Sequence, residues 1–417
     1  MRKLNLLERV FSITNEGYYK IVRFFCIPFK IDRRTAFNKK YGDLPLENKI
    51  VFSNFFGSGY GCNPKYIHEE ILKEKFQCDV VWLVKDLEQY SQDNSFPPNV
   101  KLVYYKSEES IKELATARIW INNQRLMYHL RKGLTKKEGQ YYIQTWHGSL
   151  GIKKLDADVQ NFNTPEKRVW VRMAKHDSAT ADYLLSNSDF EDKILPPALW
   201  FNNKILKFGH PRNDIFFKSD DEKSNIKKRV FKTLEIPEEK KVLLYVPSFR
   251  DNKVIDSYDM DYKILVKSLE KKFGGNWVIV IRLHPRLKSF DEELIPKTDY
   301  IVDGTYYPDI QELLVSADIV VTDYSSCIFD FMLSRKPGFI YASDIKDFDE
   351  MRGFYYPLTS TPFPVSENNE QLQKNISEFD YESYKQKVED FLKEKGCIED
   401  GHASERVVEF IKEKMNS

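Results

Sequence analysis

Two histidines each stand directly after an apolar run, where sheets of alternating strands and helices present side chains to ligands. His147 follows YYIQTW and precedes Gly148-Ser149-Leu150-Gly151, and His284 follows WVIVIRL and precedes Pro285. With an unperturbed pKa of about 6.5, an imidazole in a cleft can take a proton from a reacting group near neutral pH. The glycine after His147 lets backbone approach a substrate closely. A single histidine in this context reads first as a capped, hydrogen-bonded structural residue. Two of them, at corresponding strand ends in two halves of one chain, read as chemistry.

A second group of residues suits anions. In DIVVTDYSSCIFDFM a buried strand passes into a helix through Thr322-Asp323-Tyr324-Ser325-Ser326. Hydroxyl side chains and free backbone N–H groups at a helix start suit a diphosphate. Ser325 or Ser326 serving as an ordinary N-cap is compatible with that role. Asp330, one turn further on, reads equally as a partner for a ribose hydroxyl and as a solvated helix acid. The turn GHPRNDIFF (209–217) gathers His210, Arg212, Asn213 and Asp214. Arg212 there can grip phosphate with two parallel hydrogen bonds, and a loop tied by its own Asn and Asp is an equal alternative. Arg282 and Arg286 bracket His284, and Arg250 ends the strand KVLLYVPSF; with Trp146 and Gly148 they complete the set expected to face one cleft. Several cations, an anion-binding helix start and two histidines fit transfer of a phosphorylated group, where positioning and charge neutralisation do most of the catalysis.

The elements that must position these residues alternate. KIVFSNF (49–55), CDVVWLV (78–84), VKLVYY (100–105), ARIWINN (117–123) and YYIQTW (141–146) are buried-strand runs, with helical stretches at 64–76 and 107–117. After an irregular stretch at Leu195-Pro196-Pro197 the alternation restarts, with strands at 241–249, 277–285, 300–304, 318–326 and 337–344 and helices at 311–317 and 328–335. The pattern predicts an α/β protein of two doubly wound, Rossmann-like domains, 45–200 and 205–380, with a ligand cleft at the carboxyl ends of their strands, and closing helices over 381–417.

The chain has 417 residues, 64 Lys+Arg against 63 Asp+Glu and 14% aromatic residues. That excludes general disorder and a bulk nucleic-acid binder. The near-zero net charge conceals an asymmetry: residues 1–40 carry ten Lys/Arg against Glu8, Glu16 and Asp32, a net +7. Leu4, Leu7, Val10 and Phe11, then Ile21, Phe24 and Phe25, recur at helical spacing among these basic residues. The segment is expected to form two short amphipathic helices on an anionic membrane surface, each nearby Lys or Arg adding about 1 kcal/mol of attraction. A helical arm packed on the body is the alternative. Cys26, Cys62, Cys78, Cys327 and Cys397 form no CxxC pair and are expected to be reduced thiols on the cytoplasmic side, with no apolar run long enough to span a bilayer.

NKIVFSNFFGSGYGCNPKY, QTWHGSLGIKKL, GHPRND, VLLYVPSFRDN, VIRLHPR, DIQELLVSADIVVTDYSS with FDFM following, RGFYYPL and GHASERVVEFI run in order from about residue 48 to 413. Together they resemble the CDP-glycerol glycerophosphotransferases, which prime or extend teichoic acids and related polyol-phosphate polymers. The resemblance implies a two-domain GT-B fold, CDP-glycerol in the C-terminal half, the acceptor in the N-terminal half, no metal or other cofactor, and peripheral attachment to the inner membrane face. It implies that His147 deprotonates the acceptor hydroxyl and that His284 binds the transferred phosphate. Ser325, Ser326 and Asp323 would hold the diphosphate, with Trp146, Arg212, Asn213 and Arg286 near the donor. The large extra N-terminal domain or helical extension of the longest polymerases has no counterpart in this sequence, so limited transfer is expected ahead of processive polymerisation. Gly61-Cys62 stand where an acidic pair is expected, which leaves the acceptor open. Rival readings are a CDP-ribitol donor, a GT-B enzyme using a UDP- or GDP-sugar, and a non-catalytic scaffold. A homo-oligomer fits any of them.

Overall fold

The computed structural model describes residues 10–416, apart from 26, 93–94, 99, 160–166 and 251–257. Two all-parallel sheets dominate it, each built from buried runs of branched and aromatic residues. The first comprises β4 (Glu47–Ser53), β5 (Asp79–Val84), β6 (Lys101–Tyr104), β7 (Ala117–Asn122), β8 (Tyr141–Gln144), β9 (Tyr183–Ser186) and β10 (Lys204–Lys207). Their spatial order is β10-β9-β8-β7-β4-β5-β6. The second comprises β11 (Lys241–Val246), β12 (Trp277–Ile281), β13 (Ile301–Asp303), β14 (Ile319–Thr322), β15 (Gly338–Tyr341) and β16 (Val365–Ser366), in the order β13-β12-β11-β14-β15-β16. Strands buried on both faces, such as Ile50-Val51-Phe52 and Ile279-Val280-Ile281, need helices on both sides. In each sheet the order reverses once, between β4 and β7 and between β11 and β14. Such switch points open crevices at the strand carboxyl ends.

The stretch at Leu195-Pro196-Pro197 is not irregular. It closes a helix, Asp189–Leu199, whose N-cap Ser188 accepts from the Glu191 N–H at 3.1 Å and which ends at the left-handed Trp200. Both prolines fall in its last turns, and the first sheet continues past it through β10. The closing helices divide. Tyr381–Glu394 buries Tyr384, Val388 and Phe391 against the second sheet's core, whereas Ala403–Asn416 returns to the first and packs Val407, Val408 and Ile411 with Ile50 and Phe52.

The N-terminal segment overturns one expectation. Residues 1–9 lie outside the described residues, and from Phe11 the chain forms strands, not helices. β1 (Phe11–Glu16), β2 (Tyr19–Phe24) and β3 (Ile27–Asp32) make an antiparallel sheet, with Phe11 opposite Phe24, Ile13 opposite Val22 and Val22 opposite Phe29. Phe11, Ile13, Val22, Phe24, Ile27, Phe29 and Ile31 fall at period two, on one face, and branched and aromatic residues fit a pleated surface better than a helix. Only then does the basic segment become helical, over Arg33–Tyr41, capped by Asp32 Oδ1 accepting from the Arg34 N–H at 3.0 Å.

Candidate active site

Each switch point is bridged by side chains, the first by two asparagines that the sequence reading did not single out, the second by Asp323 and Arg250, which it did. At the first, Asn54 follows β4 and Asn123 follows β7. The Asn123 amide donates to Asn54 Oδ1 at 2.7 Å, and Asn123 Oδ1 accepts from the Phe55 N–H at 2.8 Å. At the second, Asp323 accepts from the Ser248 N–H at 2.9 Å and from Arg250 Nη1 at 2.7 Å.

The histidines flank these bridges. His147 follows β8, next to β7, and His284 follows β12, next to β11, so each lies one strand from its switch point but on opposite sides of it. The two positions share a strand end and are not topologically equivalent. Their hydrogen bonds assign opposite tautomers. His147 Nδ1 lies 2.7 Å from the Asn123 carbonyl oxygen and must donate to it, so the neutral ring carries its lone pair on Nε2. Gln124 Nε2 lies 3.3 Å from that nitrogen and marks where the lone pair points. His284 Nδ1 accepts from the Arg286 N–H at 3.2 Å, which places its proton on Nε2. Burial brings the His147 pKa down to about 4, opposed by the Asn123 bond and helped by Arg212, Arg125 and Lys153. His284 also falls to about 4, through burial of its inner side and the nearby Lys153 and Arg286. Both are therefore neutral at pH 7: one a bare acceptor, the other a donor.

The two loops that carry these groups meet. A Cβ added to Gly148 would stand 3.7 Å from Ser326 Oγ, and one on Gly151 would stand 3.5 Å from Ser326 Cβ. The turn around His147 thus lies over Ser326. Ser326 is the N-cap of the short helix Cys327–Phe331, and its hydroxyl makes no capping bond. Trp146 enters the turn in a left-handed conformation, φ 53°, held by its N–H to Gln144 Oε1 at 3.0 Å and by Asn63 Nδ2 donating to its carbonyl at 3.1 Å. The second unit clasps the same loop. Tyr355 N–H donates to Ile152 O at 2.8 Å, Lys154 N–H to Gly353 O at 3.0 Å, and the Tyr356 hydroxyl to Leu150 O. This is what the RGFYYPL stretch does in the fold.

The predicted cations divide. Arg286 is exposed beside His284, 5.2 Å from the Phe249 ring centroid. Arg250 is buried and paired with both Asp323 and Asp344, Arg282 donates to the Gly304 and Tyr307 carbonyls, and Arg212 pairs with Asp330 at 3.0 Å. Asn213 is fully buried, donating to Glu399 at 2.8 Å and accepting from Gln311. These side chains hold loops together from inside. The cation that sequence reasoning missed is Lys153, from the first unit, whose Nζ lies 3.5 Å from Ser248 Oγ of the second. Burial, with Arg352 nearby, lowers its pKa to about 8. Its only signal in the sequence was the Lys153-Lys154 pair after HGSLGI; Asn54 and Asn123 had none beyond their strand-end positions.

Two doubly wound parallel sheets with a cleft at their strand carboxyl ends define a GT-B-type fold. The chain belongs to the CDP-Glycerol:Poly(glycerophosphate) glycerophosphotransferase family, whose model matches residues 39–413. It is 30% identical over 371 residues to the teichoic acid poly(glycerol phosphate) polymerase of Staphylococcus epidermidis, covering 87% of this chain and 50% of that one. The chain thus spans about half the length of that relative. It is 32% identical over 390 residues to the teichoic acid glycerol-phosphate transferase of Staphylococcus aureus, covering 89% of this chain and 95% of that one. A solved structure of the wall teichoic acid polymerase TagF, a histidine variant soaked with CDPG, superposes with a TM-score of 0.77 at 28% identity, covering 92% of this chain and 93% of that one.

Proposed function

We propose that the protein transfers glycerol phosphate from CDP-glycerol to a hydroxyl of a lipid- or glycan-linked acceptor and releases CMP, in the synthesis of a teichoic-acid-type polymer. His147 Nε2 takes the proton of the acceptor hydroxyl, displacing the Gln124 amide from its lone pair. The freed oxygen attacks the glycerol-bearing phosphorus in line. The bond from that phosphorus to the bridging oxygen breaks, CMP leaves with the electron pair, and a phosphodiester remains. His284 Nε2–H donates to a phosphoryl oxygen as charge develops there. Lys153, Arg286 and the backbone around Ser325 and Ser326 compensate the leaving diphosphate oxygens, so the reading requires no metal ion.

The observation that carries this reading is the opposite tautomers of His147 and His284, a bare base on the acceptor side and a donor on the phosphate side. The test is CMP release from CDP-glycerol by wild type, His147→Ala and His284→Ala, with CDP-ribitol and a UDP-sugar as alternative donors. Losses of about 10²–10⁴ in kcat are expected for His147→Ala. Full turnover by both variants would overturn the roles. Faster release from another donor would overturn the substrate.

The same reading places the enzyme on the cytoplasmic face of a membrane. Supporting it, the N-terminal sheet turns its apolar face outward: Phe11, Ile13, Phe24, Ile27, Phe29 and Ile31 are each 50–60% exposed, with Lys20 on the same face and Lys30 and Arg23 on the other. An exposed apolar patch of this kind beside cations fits the headgroup–acyl boundary of anionic lipid. Among the described residues no helix is long and apolar enough to cross a membrane.

A further inference from the structure

The turn that carries His147 is held from inside the protein by a carboxylate the sequence reading passed over. Glu191 stands third in the helix Asp189–Leu199, and Ser188-x-x-Glu191 is the spacing of a capping box, in which the glutamate turns back to the N-cap N–H. Here it reaches past the cap. Glu191 Oε2 accepts from the Asn187 N–H at 3.0 Å, and Oε1 accepts from the Leu150 N–H, also at 3.0 Å. Glu191 is 2% exposed. A cap needs no burial, and a buried carboxylate is unfavourable unless donors surround it.

The third donor stands where the chain crosses between the units. His210 Nε2 lies 2.9 Å from Glu191 Oε2 and donates to it. His210 and Asn213 belong to the first crossing, 208–219, and Glu399 to the return crossing, 395–402, between the helices Tyr381–Glu394 and Ala403–Asn416. The crossings are bound to each other there. The His210 N–H and Asn213 Nδ2 both donate to Glu399 Oε1, at 3.1 and 2.8 Å. Asn187 Nδ2 donates to the same oxygen at 2.9 Å and to Ser149 Oγ, in the His147 turn, at 2.6 Å.

Leu150 is the point on which this support acts. It is left-handed, φ 48°, a conformation unfavourable for a residue with a Cβ and kept only where the surroundings impose it. Its side chain is buried in the core cluster of the second unit. Its N–H is held by Glu191 of the first unit and its carbonyl by Tyr356 of the second. One peptide, three residues from His147, is thus clamped by both units.

We propose that Glu191, oriented by His210, is a positioning residue for the transfer: it fixes the Leu150 peptide, and with it the turn that carries His147, against the second unit. This rests on the assignment of His147 as the acceptor-side base. The position requires a carboxylate. Leu150 N–H, Asn187 N–H and His210 Nε2–H all donate, and a glutamine there must turn its own N–H groups toward at least one of them.

The test uses the full chain, with CDP-glycerol as donor and dodecyl glycerol phosphate as acceptor. In Glu191→Gln the kcat for CMP release should fall about 10²-fold, while CMP binds in calorimetry with wild-type affinity. His210→Leu should fall likewise. His210→Gln, whose amide can still donate to Glu191, should keep most of the turnover. Leu269→Ala removes a buried side chain of the helix Tyr262–Phe273 and controls for lost stability: its melting temperature should drop and its kcat should not. Wild-type kcat in Glu191→Gln and His210→Leu, or an equal loss in Leu269→Ala, would overturn the positioning role. If Glu191→Gln does not fold, the two His210 variants decide by the same measures. The His147 Nδ1–H proton resonance, assigned by its absence in His147→Ala, needs no turnover. It should shift in Glu191→Gln and His210→Leu and stay in place in Leu269→Ala; an unmoved resonance in the first two would also overturn the proposal. That shift without any CMP release by wild type would leave the positioning of His147 standing and overturn the transferase reading instead.

Discussion

The carbonyl oxygen of Asn123 accepts the Nδ1–H of His147 at 2.7 Å. The same buried residue binds Asn54 and Phe55 through its side chain. The orientation of the candidate base is therefore set by the residue that closes the first switch point. Asn123→Ala keeps the carbonyl but leaves the Phe55 N–H and Asn54 Oδ1 without it. A loss of about 1–3 kcal/mol of stability is expected in urea unfolding, with a raised acceptor KM and a nearly unchanged donor KM.

The pH profile follows from two depressed pKa values. His147, brought down to about 4, deprotonates below its ordinary value, so its base form is present throughout pH 5–8. Lys153, brought down to about 8, loses its charge as pH rises through that value. The kcat/KM for CDP-glycerol should therefore fall below about pH 4–5 and above about pH 8. Arginine stays charged throughout, so Lys153→Arg should abolish the alkaline limb while the acid limb stays in place. An alkaline limb unchanged in Lys153→Arg would remove Lys153 from the role.

Gly148→Ala probes the close approach of the two loops. The added methyl would make ordinary contacts, 3.5 Å from Trp146 Nε1 and 3.7 Å from Ser326 Oγ, so the protein should fold with little loss of stability. The methyl nevertheless fills space between the turn that carries His147 and the loop that carries Ser326. A raised KM for CDP-glycerol with an unaltered melting temperature is expected.

A buried ion cluster joins the two units. Lys65, on the first, reaches Asp309 at 2.7 Å and Glu312 at 2.8 Å on the second, and Tyr66 adds a hydrogen bond to Asp309 at 2.9 Å. Lys65→Met leaves buried Asp309 without its ion-pair partner, whereas Glu312 keeps Arg229 at 3.0 Å, and should cost roughly 3–5 kcal/mol in denaturant unfolding. Adding Asp309→Asn to it should recover part of that loss, because the stranded charge is then gone.

Serines placed together at Phe11, Ile27 and Phe29 should lower co-sedimentation with phosphatidylserine vesicles by an order of magnitude or more while leaving CDP-glycerol binding intact, since each buried apolar side chain is worth about 1.5–3 kcal/mol. Unchanged sedimentation would mean that the outward face of the N-terminal sheet does not meet lipid.

Much of the architecture was legible because buried parallel strands leave continuous apolar runs. WVIVI and IVVT admit few other readings, and the residues ending them, His284 and Asp323, could be placed at a cleft from position alone. The sequence by itself therefore determined the two alternating halves, the strand-end histidines and the charge asymmetry of the first 40 residues. It could not decide the shape of those 40 residues: Ile21, Phe24 and Phe25 satisfy a helical spacing, and only pairing of Phe11 with Phe24 and of Val22 with Phe29 selects the strand. Nor could it separate cations that face a ligand from cations that hold loops. Arg212, Arg250 and Lys153 look alike in a chain, and their difference lies in the carboxylates that folding brings to the first two from 118 and 73 residues away. The histidine tautomers belong to tertiary structure for the same reason. A ring nitrogen has no fixed role until a carbonyl or an N–H meets it, and for His147 that partner, Asn123, stands just past the end of a neighbouring strand.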